Sequence, residues 1–586
     1  MPTDWPLSRR GANDRDRLAG DVQRSIRRLY APRLSLLLMS SALLALPPAT
    51  YAQAFPARFE LRSLFPPAGG DGSEGFVIVG ASNFDDLSVV TAAGDVNGDG
   101  IGDLVAGASG AQAGAGEAYV IYGSQAGFPP LLDIGLLVSG QAGEGQTGTV
   151  LQGTQTGDLT GAAVASAGDV NGDGLDDLLI GASGAANRSG RVYVVFGRSG
   201  GLGATFPLEQ LTPEAGGDGT LGLVVEGIDT GDVAGSAVGS VGDLNGDGHG
   251  DFAIGASNAG DTPSAGESYV IFGRPNDTVF PPRLNLAELL PEAGGDGSDG
   301  IVLTSPSIGN TVSGVGRAGD LNADGIDDMW IAAPRRGNPE GPGVYVVFGD
   351  DSSLAPRVDL SALNGDDGVR IDGTSVSAYT GISAGVADIG DFNGDGIDDL
   401  VIGESSGGGG SGRAFLVFGR DDGFPSRVAL TDLTPPGGAN GTRGVLYVGA
   451  TPREAAGASV ASVGDVNQDG WPDLLIGASG ADRFGAENVG RAYLVYGPSA
   501  PMLATFPLGR LFARAGGDGS EGAVFNGVDE QNVAGVFSSG VGDINGDGID
   551  DFAISTSAFY SALNRIAAGE AYVVFGQADT PRSPSE

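Results

Sequence analysis

Residues 95–103 read Asp95-Val-Asn97-Gly-Asp99-Gly-Ile101-Gly-Asp103. The same nine-residue pattern, with Asp at positions 1, 5 and 9, Asn at 3 and Gly at 6, begins again at Asp169, Asp243, Asp320, Asp391, Asp465 and Asp543. The starts lie 74, 74, 77, 71, 74 and 78 residues apart. Seven copies at so even a spacing mark an array of like supersecondary units. Length alone would divide 586 residues into three or four domains of about 150 residues. A repeat array overrides that division, because it grows as one architecture by stacking units.

The second copy shows the content of a unit. Ala163 to Ala167 is a short run of small residues before Gly168-Asp169. Leu178-Leu-Ile180 follows the Asp-rich loop, and Arg191-Val-Tyr-Val-Val-Phe196-Gly197 comes next. A Pro- and Gly-rich connection ends in Gly216-Gly-Asp218-Gly219, and Gly222-Leu-Val-Val-Glu226-Gly227 completes the unit. These are four short β-rich runs bounded by turn residues, and a turn of this composition suits a hairpin. Four antiparallel strands repeated seven times predict an all-β, seven-bladed β-propeller.

The ends of the array support closure. The last unit stops at Tyr572-Val-Val-Phe575-Gly576 and lacks a fourth run. The missing piece stands near the N-terminus: Phe59-Glu-Leu61, Gly69-Gly-Asp71-Gly72, then Gly75-Phe-Val-Ile-Val-Gly80. Its counterpart before the last repeat is Phe506-Pro-Leu508, Gly516-Gly-Asp518-Gly519 and Gly522-Ala-Val-Phe-Asn-Gly527. The N-terminal strand is therefore expected to complete the last blade, which removes the exposed sheet edges of an open solenoid.

Each loop offers side-chain oxygens at positions 1, 3, 5 and 9 and a backbone carbonyl at position 7. The candidate metal ligands are Asp95, Asn97, Asp99, Ile101 and Asp103; Asp169, Asn171, Asp173, Leu175 and Asp177; Asp243, Asn245, Asp247, His249 and Asp251; Asp320, Asn322, Asp324, Ile326 and Asp328; Asp391, Asn393, Asp395, Ile397 and Asp399; Asp465, Asn467, Asp469, Trp471 and Asp473; and Asp543, Asn545, Asp547, Ile549 and Asp551. Calcium takes six to eight oxygen ligands at about 2.3–2.6 Å in a flexible arrangement. Three carboxylates without a cation would repel one another strongly. Oxygen-only ligands disfavour zinc and copper, and crowded carboxylates favour calcium over magnesium, which keeps its waters. Up to seven Ca²⁺ ions are expected. The spacing resembles the first nine positions of an EF-hand loop. It departs at position 12, where the first two loops carry Ala106 and Ile180 instead of a bidentate Glu, and the flanks read as strands.

Just after the loops stand Gly107-Ala-Ser109, Gly181-Ala-Ser183, Gly255-Ala-Ser257, Ala332-Ala-Pro334, Gly403-Glu-Ser405, Gly477-Ala-Ser479 and Ser555-Thr-Ser557. With the Asp loops, these elements resemble the FG-GAP repeats of integrin α-subunit propellers and their bacterial relatives. The resemblance covers nearly all of residues 55–578. It implies seven blades with calcium in the hairpin between the first and second strands of each. Only some integrin blades carry the calcium loop, whereas all seven do here, and the integrin leg domains, membrane span and partner subunit have no counterpart.

Composition bounds the partners. The chain holds 106 Gly, no Cys and 31 basic residues, all Arg, for a formal net charge of −42. Such a field repels nucleic acid and anionic lipid and suits cations. Residues 1–54 read as a signal peptide: Arg27, Arg28 and Arg33, an apolar run from Leu34 to Leu46, Pro47-Pro48, then Ala52-Gln53-Ala54. The apolar run is too short for a stable membrane-spanning helix. The propeller is assigned to 55–578 and a polar tail to 579–586. The expected product is a monomer that is secreted, extracellular or at the cell surface, with the periplasm as the alternative, without disulfides and without a transmembrane segment in the mature chain.

Two functions fit. The first is a calcium-dependent extracellular binding or adhesion module, its partner a protein or a glycan. The loops between second and third strands fall on the face away from the Asp loops, and they hold Arg188, Arg335-Arg336, Arg483-Phe484 and Phe559-Tyr560. Loops on a rigid scaffold are where function concentrates. The second is a carbohydrate-active enzyme, a lyase or glycosidase using paired carboxylates. The one His, His249, sits at position 7 of the third loop, and its side chain is expected to be solvated. With no Cys, Cys–His nucleophile chemistry is excluded. Trp330 and Trp471 read as packing residues. Tyr122, Phe196, Phe272, Phe348, Phe418, Tyr496 and Phe575 share one repeat position and read as inter-blade core.

Overall fold

The computed structural model describes residues 51–52 and 55–581, apart from 139–146, 261–265, 277, 305–311, 334–341, 352–353, 375–384, 434–440, 483–487, 498–501, 531, 558–560, 562, 564 and 579. Seven five-stranded sheets form seven blades, numbered here in the order of their Asp loops. In blade 1 the strands Leu87–Gly94, Asp103–Ala108, Glu117–Ile121 and Gly148–Gln152 follow one another, each antiparallel to the last. The first strands of neighbouring blades touch all the way round, and Phe537–Gly542 of blade 7 touches Leu87–Gly94 of blade 1. They form the inner wall of a closed ring.

The first strands are rich in Gly, Ala and Ser because seven of them converge there. A methyl group placed on Gly239 would stand 2.7 Å from the Val315 carbonyl oxygen of the next blade's first strand. The second strands are buried along their whole length, as Asp177–Ala182 shows. Both of their faces pack against neighbouring sheets, so they read as continuous apolar runs instead of alternating ones. The core is divided among the blade interfaces. Between blades 1 and 2, Val105, Val120 and Leu151 meet Ile180, Tyr193, Val195 and Phe206. The recurrent aromatics are all buried within such interfaces, from 4% exposed at Phe348 to 9% at Tyr496. Trp330 is half-buried and packs against the core between blades 4 and 5.

The N-terminal strand completes blade 7 as expected. Gly75–Val79 pairs antiparallel with Glu570–Val574, Val77 opposite Tyr572. Phe76 and Ile78 then join Tyr119 and Ile121 in the core between blades 7 and 1.

The blade differs from the expected four strands by a fifth. A three-residue strand from the following unit adds in parallel at the outer edge of each sheet: Thr205–Pro207 on blade 1, Arg283–Asn285 on blade 2, Arg357–Asp359 on blade 3 and Arg427–Ala429 on blade 4. Thr505–Pro507, Arg58–Glu60 and Leu131–Asp133 do the same for blades 5, 6 and 7. Each blade is thus covered by its neighbour, and residues near the N-terminus enter two different blades. Tyr51–Ala52 also pairs with Thr580–Pro581, so two of the residues assigned to the leader and two of those assigned to the tail are in β-structure. Residues 1–50 lie outside the described residues. Among those described, no helix is long and apolar enough to cross a membrane.

Candidate metal centres

Each Asp loop is the hairpin between the first and second strands, and its position-9 Asp is the last loop residue or the first residue of the second strand. Position 6 has φ between +85° and +93° in all seven loops, from Gly100 to Gly548. A side chain would meet nothing within 4 Å at any of these glycines, so the left-handed backbone alone demands glycine there.

The carboxylates are organised by backbone amides. In loop 2, Asp169 Oδ1 accepts from the Asp173 N–H at 3.0 Å and Oδ2 from the Gly174 N–H at 2.8 Å. Asn171 Oδ1 accepts from the Asp173 N–H at 2.9 Å, and Asp173 Oδ1 accepts from the Leu175 N–H at 3.0 Å. Loops 3, 4, 5, 6 and 7 repeat these bonds, for example at Asp243, Asp320, Asp391, Asp465 and Asp543.

Position 9 is different. Asp103, Asp177, Asp251, Asp328, Asp399, Asp473 and Asp551 are wholly buried. Asp177 Oδ2 accepts from the Val170 N–H at 3.1 Å and Oδ1 from the Gly197 N–H at 2.9 Å, which ties the loop to the end of the third strand. The same tie to that glycine recurs in every blade, at Gly123, Gly273, Gly349, Gly419, Gly497 and Gly576. Burial, against the pull of these amides and with repulsion from positions 1 and 5, pushes the Asp103 carboxyl up to about 7. The same causes take Asp177, Asp251, Asp328, Asp399 and Asp551 to about 8 and put Asp473 well above its ordinary value.

Among the described residues, no three acidic, His or Cys side chains gather as a metal-holding group by themselves. The donor chemistry nevertheless suits a hard cation. An ionised carboxylate has about four lone-pair sites, so each carboxylate and each Asn keeps acceptor capacity after its amide bonds. The residues that could hold an ion are those at positions 1, 3, 5 and 9, with the position-7 carbonyl.

Neighbouring loops also engage one another. At the joints of loops 1–2, 2–3, 3–4 and 5–6 the position-7 side chain of the later loop lies over the position-4 glycine of the earlier one. A methyl group on Gly98 would stand 3.0 Å from Leu175 Cδ2, on Gly172 3.3 Å from His249 Cε1, and on Gly394 2.6 Å from the Trp471 ring. His249 is therefore half-buried against loop 2 and not simply solvated as expected. Trp471 packs on loop 5, in keeping with a packing role.

Position 8 was not singled out from the sequence. Asp176 Oδ2 accepts from the Asp95 N–H of the preceding loop at 2.8 Å. Asp327, Asp398 and Asp550 do the same for Asp243, Asp320 and Asp465, each at 3.0 Å. The remaining loops carry Gly102, Gly250 and Pro472 there, which have no such oxygen. The signal available in the sequence was the recurrence of Asp at a position outside the repeated pattern.

On the opposite face, Arg188 is exposed in its second-to-third-strand loop, and its carbonyl accepts from the Gly231 and Val233 N–H groups of the next blade at 3.1 and 2.9 Å. Phe84 and Leu159, in the turns before the first strands, are 62% and 41% exposed. Arg335-Arg336, Arg483-Phe484 and Phe559-Tyr560 lie outside the described residues.

The FG-GAP repeat family matches residues 88–121, 160–195, 234–271 and 456–495. These are blades 1, 2, 3 and 6, each from the first strand to the third. Phosphatidylinositol-glycan-specific phospholipase D of Rattus norvegicus is 38% identical over 130 residues, 21% of this chain and 14% of that protein. Integrin alpha-3 of Cricetulus griseus is 34% identical over 157 residues, 25% of this chain and 12% of that protein. Among solved structures, BBS1N in complex with ARL6DN aligns over 91% of this chain and 98% of its own, at 10% identity and a TM-score of 0.35. This chain therefore matches only a small part of the curated relatives' length. Blades 4, 5 and 7 share the loop geometry of the matched blades; the chain is a seven-bladed β-propeller that carries FG-GAP repeats in four of its blades and is related in sequence, over part of its length, to the integrin α subunits.

Proposed function

We propose that the chain is an exported calcium-binding propeller that serves as an extracellular or cell-surface binding module. The observation that carries the calcium reading is the recurrence, in all seven hairpins, of one wholly buried carboxylate facing two exposed or half-buried ones across a glycine turn. A divalent ion would relieve that repulsion and join loop to hairpin. It would act as a staple for a ring that has no Cys and thus no disulfides. Export is supported by the signal-like residues 27–54 and the partner face by the exposed Phe84, Leu159 and Arg188. The partner proposed is an extracellular protein or glycan.

Calcium titration of the full chain by calorimetry and native mass spectrometry tests this reading. Up to seven bound ions are expected, displaced by chelator. A chain that takes up no calcium at millimolar concentration would refute it.

A further inference from the structure

The seven loops are not equally joined. Four joints carry the carboxylate clasp at position 8: loop 1 with 2, 3 with 4, 4 with 5, and 6 with 7. At each, the clasping carboxylate sits on the glycine just before the earlier loop. A methyl group on Gly94, Gly242 or Gly464 would stand 2.1 Å from an Asp oxygen of the next loop, and on Gly319 2.4 Å. At the joints closed by Gly102, Gly250 and Pro472 no carboxylate is there. The glycines facing them, Gly542 and Gly390, meet nothing within 4 Å, and Gly168 meets only Ser240 Oγ at 3.9 Å.

The clasping residue stands between two candidate ligands of its own loop. Asp176 follows Leu175, whose carbonyl is a candidate ligand, and precedes Asp177. Its carboxylate holds the amide of Asp95, the position-1 ligand of loop 1. In the same joint the Asp176 N–H donates back to the Asp95 carbonyl at 3.3 Å. An ion that fixes positions 7 and 9 of loop 2 therefore fixes the residue that orients position 1 of loop 1. The clasp also places an extra negative charge beside the earlier loop, which strengthens its pull on a cation.

We infer that calcium fills the ring in three coupled groups, loops 1–2, loops 3–4–5 and loops 6–7, with Asp176, Asp327, Asp398 and Asp550 as the positioning residues that link sites within each group. This rests on the calcium reading above and adds to it a pattern of coupling.

The test uses the full chain with single-loop knockouts, counting bound ions by native mass spectrometry across a calcium titration. Asp173→Ala disables loop 2. Near half-saturation it is expected to depress loop 1 as well as loop 2 and to leave loop 3 unchanged. Asp247→Ala, which disables loop 3, is expected to depress loop 4 and spare loop 2. Asp176→Gly should weaken loop 1 about tenfold, the size of a lost hydrogen bond to a charged acceptor. Asp176→Asn keeps an acceptor oxygen and should restore most of the loss, which a merely structural defect would not show. Gly250→Asp should create a clasp, because a methyl group there meets nothing closer than the Ala167 and Asp169 carbonyl oxygens at 3.9 Å. That variant is expected to couple loop 3 to loop 2. If the wild type binds several ions but each knockout costs only its own, and Gly250→Asp gains nothing, the coupling is wrong and the calcium reading stands. If the wild type binds none, both fall.

Discussion

Phe59 and Phe525 lie opposite one another in parallel strands, their ring centroids 5.2 Å apart, although 466 residues separate them. Phe59 belongs to the segment that edges blade 6, and Gly75–Val79, a few residues on, completes blade 7. The two pairings lock the ends of the array together. Phe59 is 4% exposed, so Phe59→Ala removes a buried aromatic and is expected to cost about 3–5 kcal/mol. Deleting residues 55–80 should abolish the cooperative unfolding transition. Chemical denaturation followed by circular dichroism checks both.

Positions 5 and 9 of a loop should separate metal binding from folding. Asp103 is buried and accepts from the Val96 and Gly123 N–H groups, whereas Asp99 is exposed. Asp103→Ala strands two buried donors at about 1–3 kcal/mol each, with or without calcium. Asp99→Ala should lower stability only when calcium is present. Paired melts in calcium and in chelator distinguish them.

The inner wall holds a charge cluster whose titration can be read. Arg317 donates to Asp388 Oδ2 at 2.6 Å and to Asp327 Oδ1 at 2.8 Å. Burial, partly offset by Arg317, pushes the Asp388 carboxyl up to about 6. The folded state therefore binds a proton that the unfolded chain has released, and stability from this group falls as pH rises from about 4 to 6. Asp388→Asn removes that slope, so wild type should lose stability relative to the variant over this window. Arg317→Ala leaves the carboxylates unpaired. Because the Arg317 side chain is 43% exposed, the cost is expected to be about 1 kcal/mol near neutrality and less below pH 5, as measured by denaturant titration at each pH.

Net charge sets a further expectation. With a formal charge of −42, long-range attraction adds to every site. It is screened over about 10 Å at 0.1 M salt. Mean calcium affinity should therefore fall as sodium chloride is raised, and calorimetry at three salt concentrations checks it.

Much of the ring was legible because its signals are local and repeated. Asp95 to Asp103 and their copies mark the hairpin, and Gly75–Val79 could be matched to Gly522–Asn526 by its flanking glycines. The fifth strands were not legible. Arg58–Glu60 or Arg283–Asn285 is too short to show a period, and its partner belongs to another unit. The position-8 clasp and the seat of His249 were missed for the same reason: both depend on which loop lies beside which, and Asp176 meets a residue 81 positions earlier. The Asp loops were legible as donor sets, but the backbone amides that hold their carboxylates were not.

The central claim is that calcium staples the ring, and thermal unfolding of the full chain in excess calcium and in excess chelator tests it most directly. At a hundredfold excess over Kd each loop contributes about 2.7 kcal/mol, and with an unfolding entropy of about 2.1 cal/mol/K per residue seven loops raise Tm by about 15 °C. A rise of that order, reversed by chelator, is the result predicted. A Tm that is the same in both would contradict it.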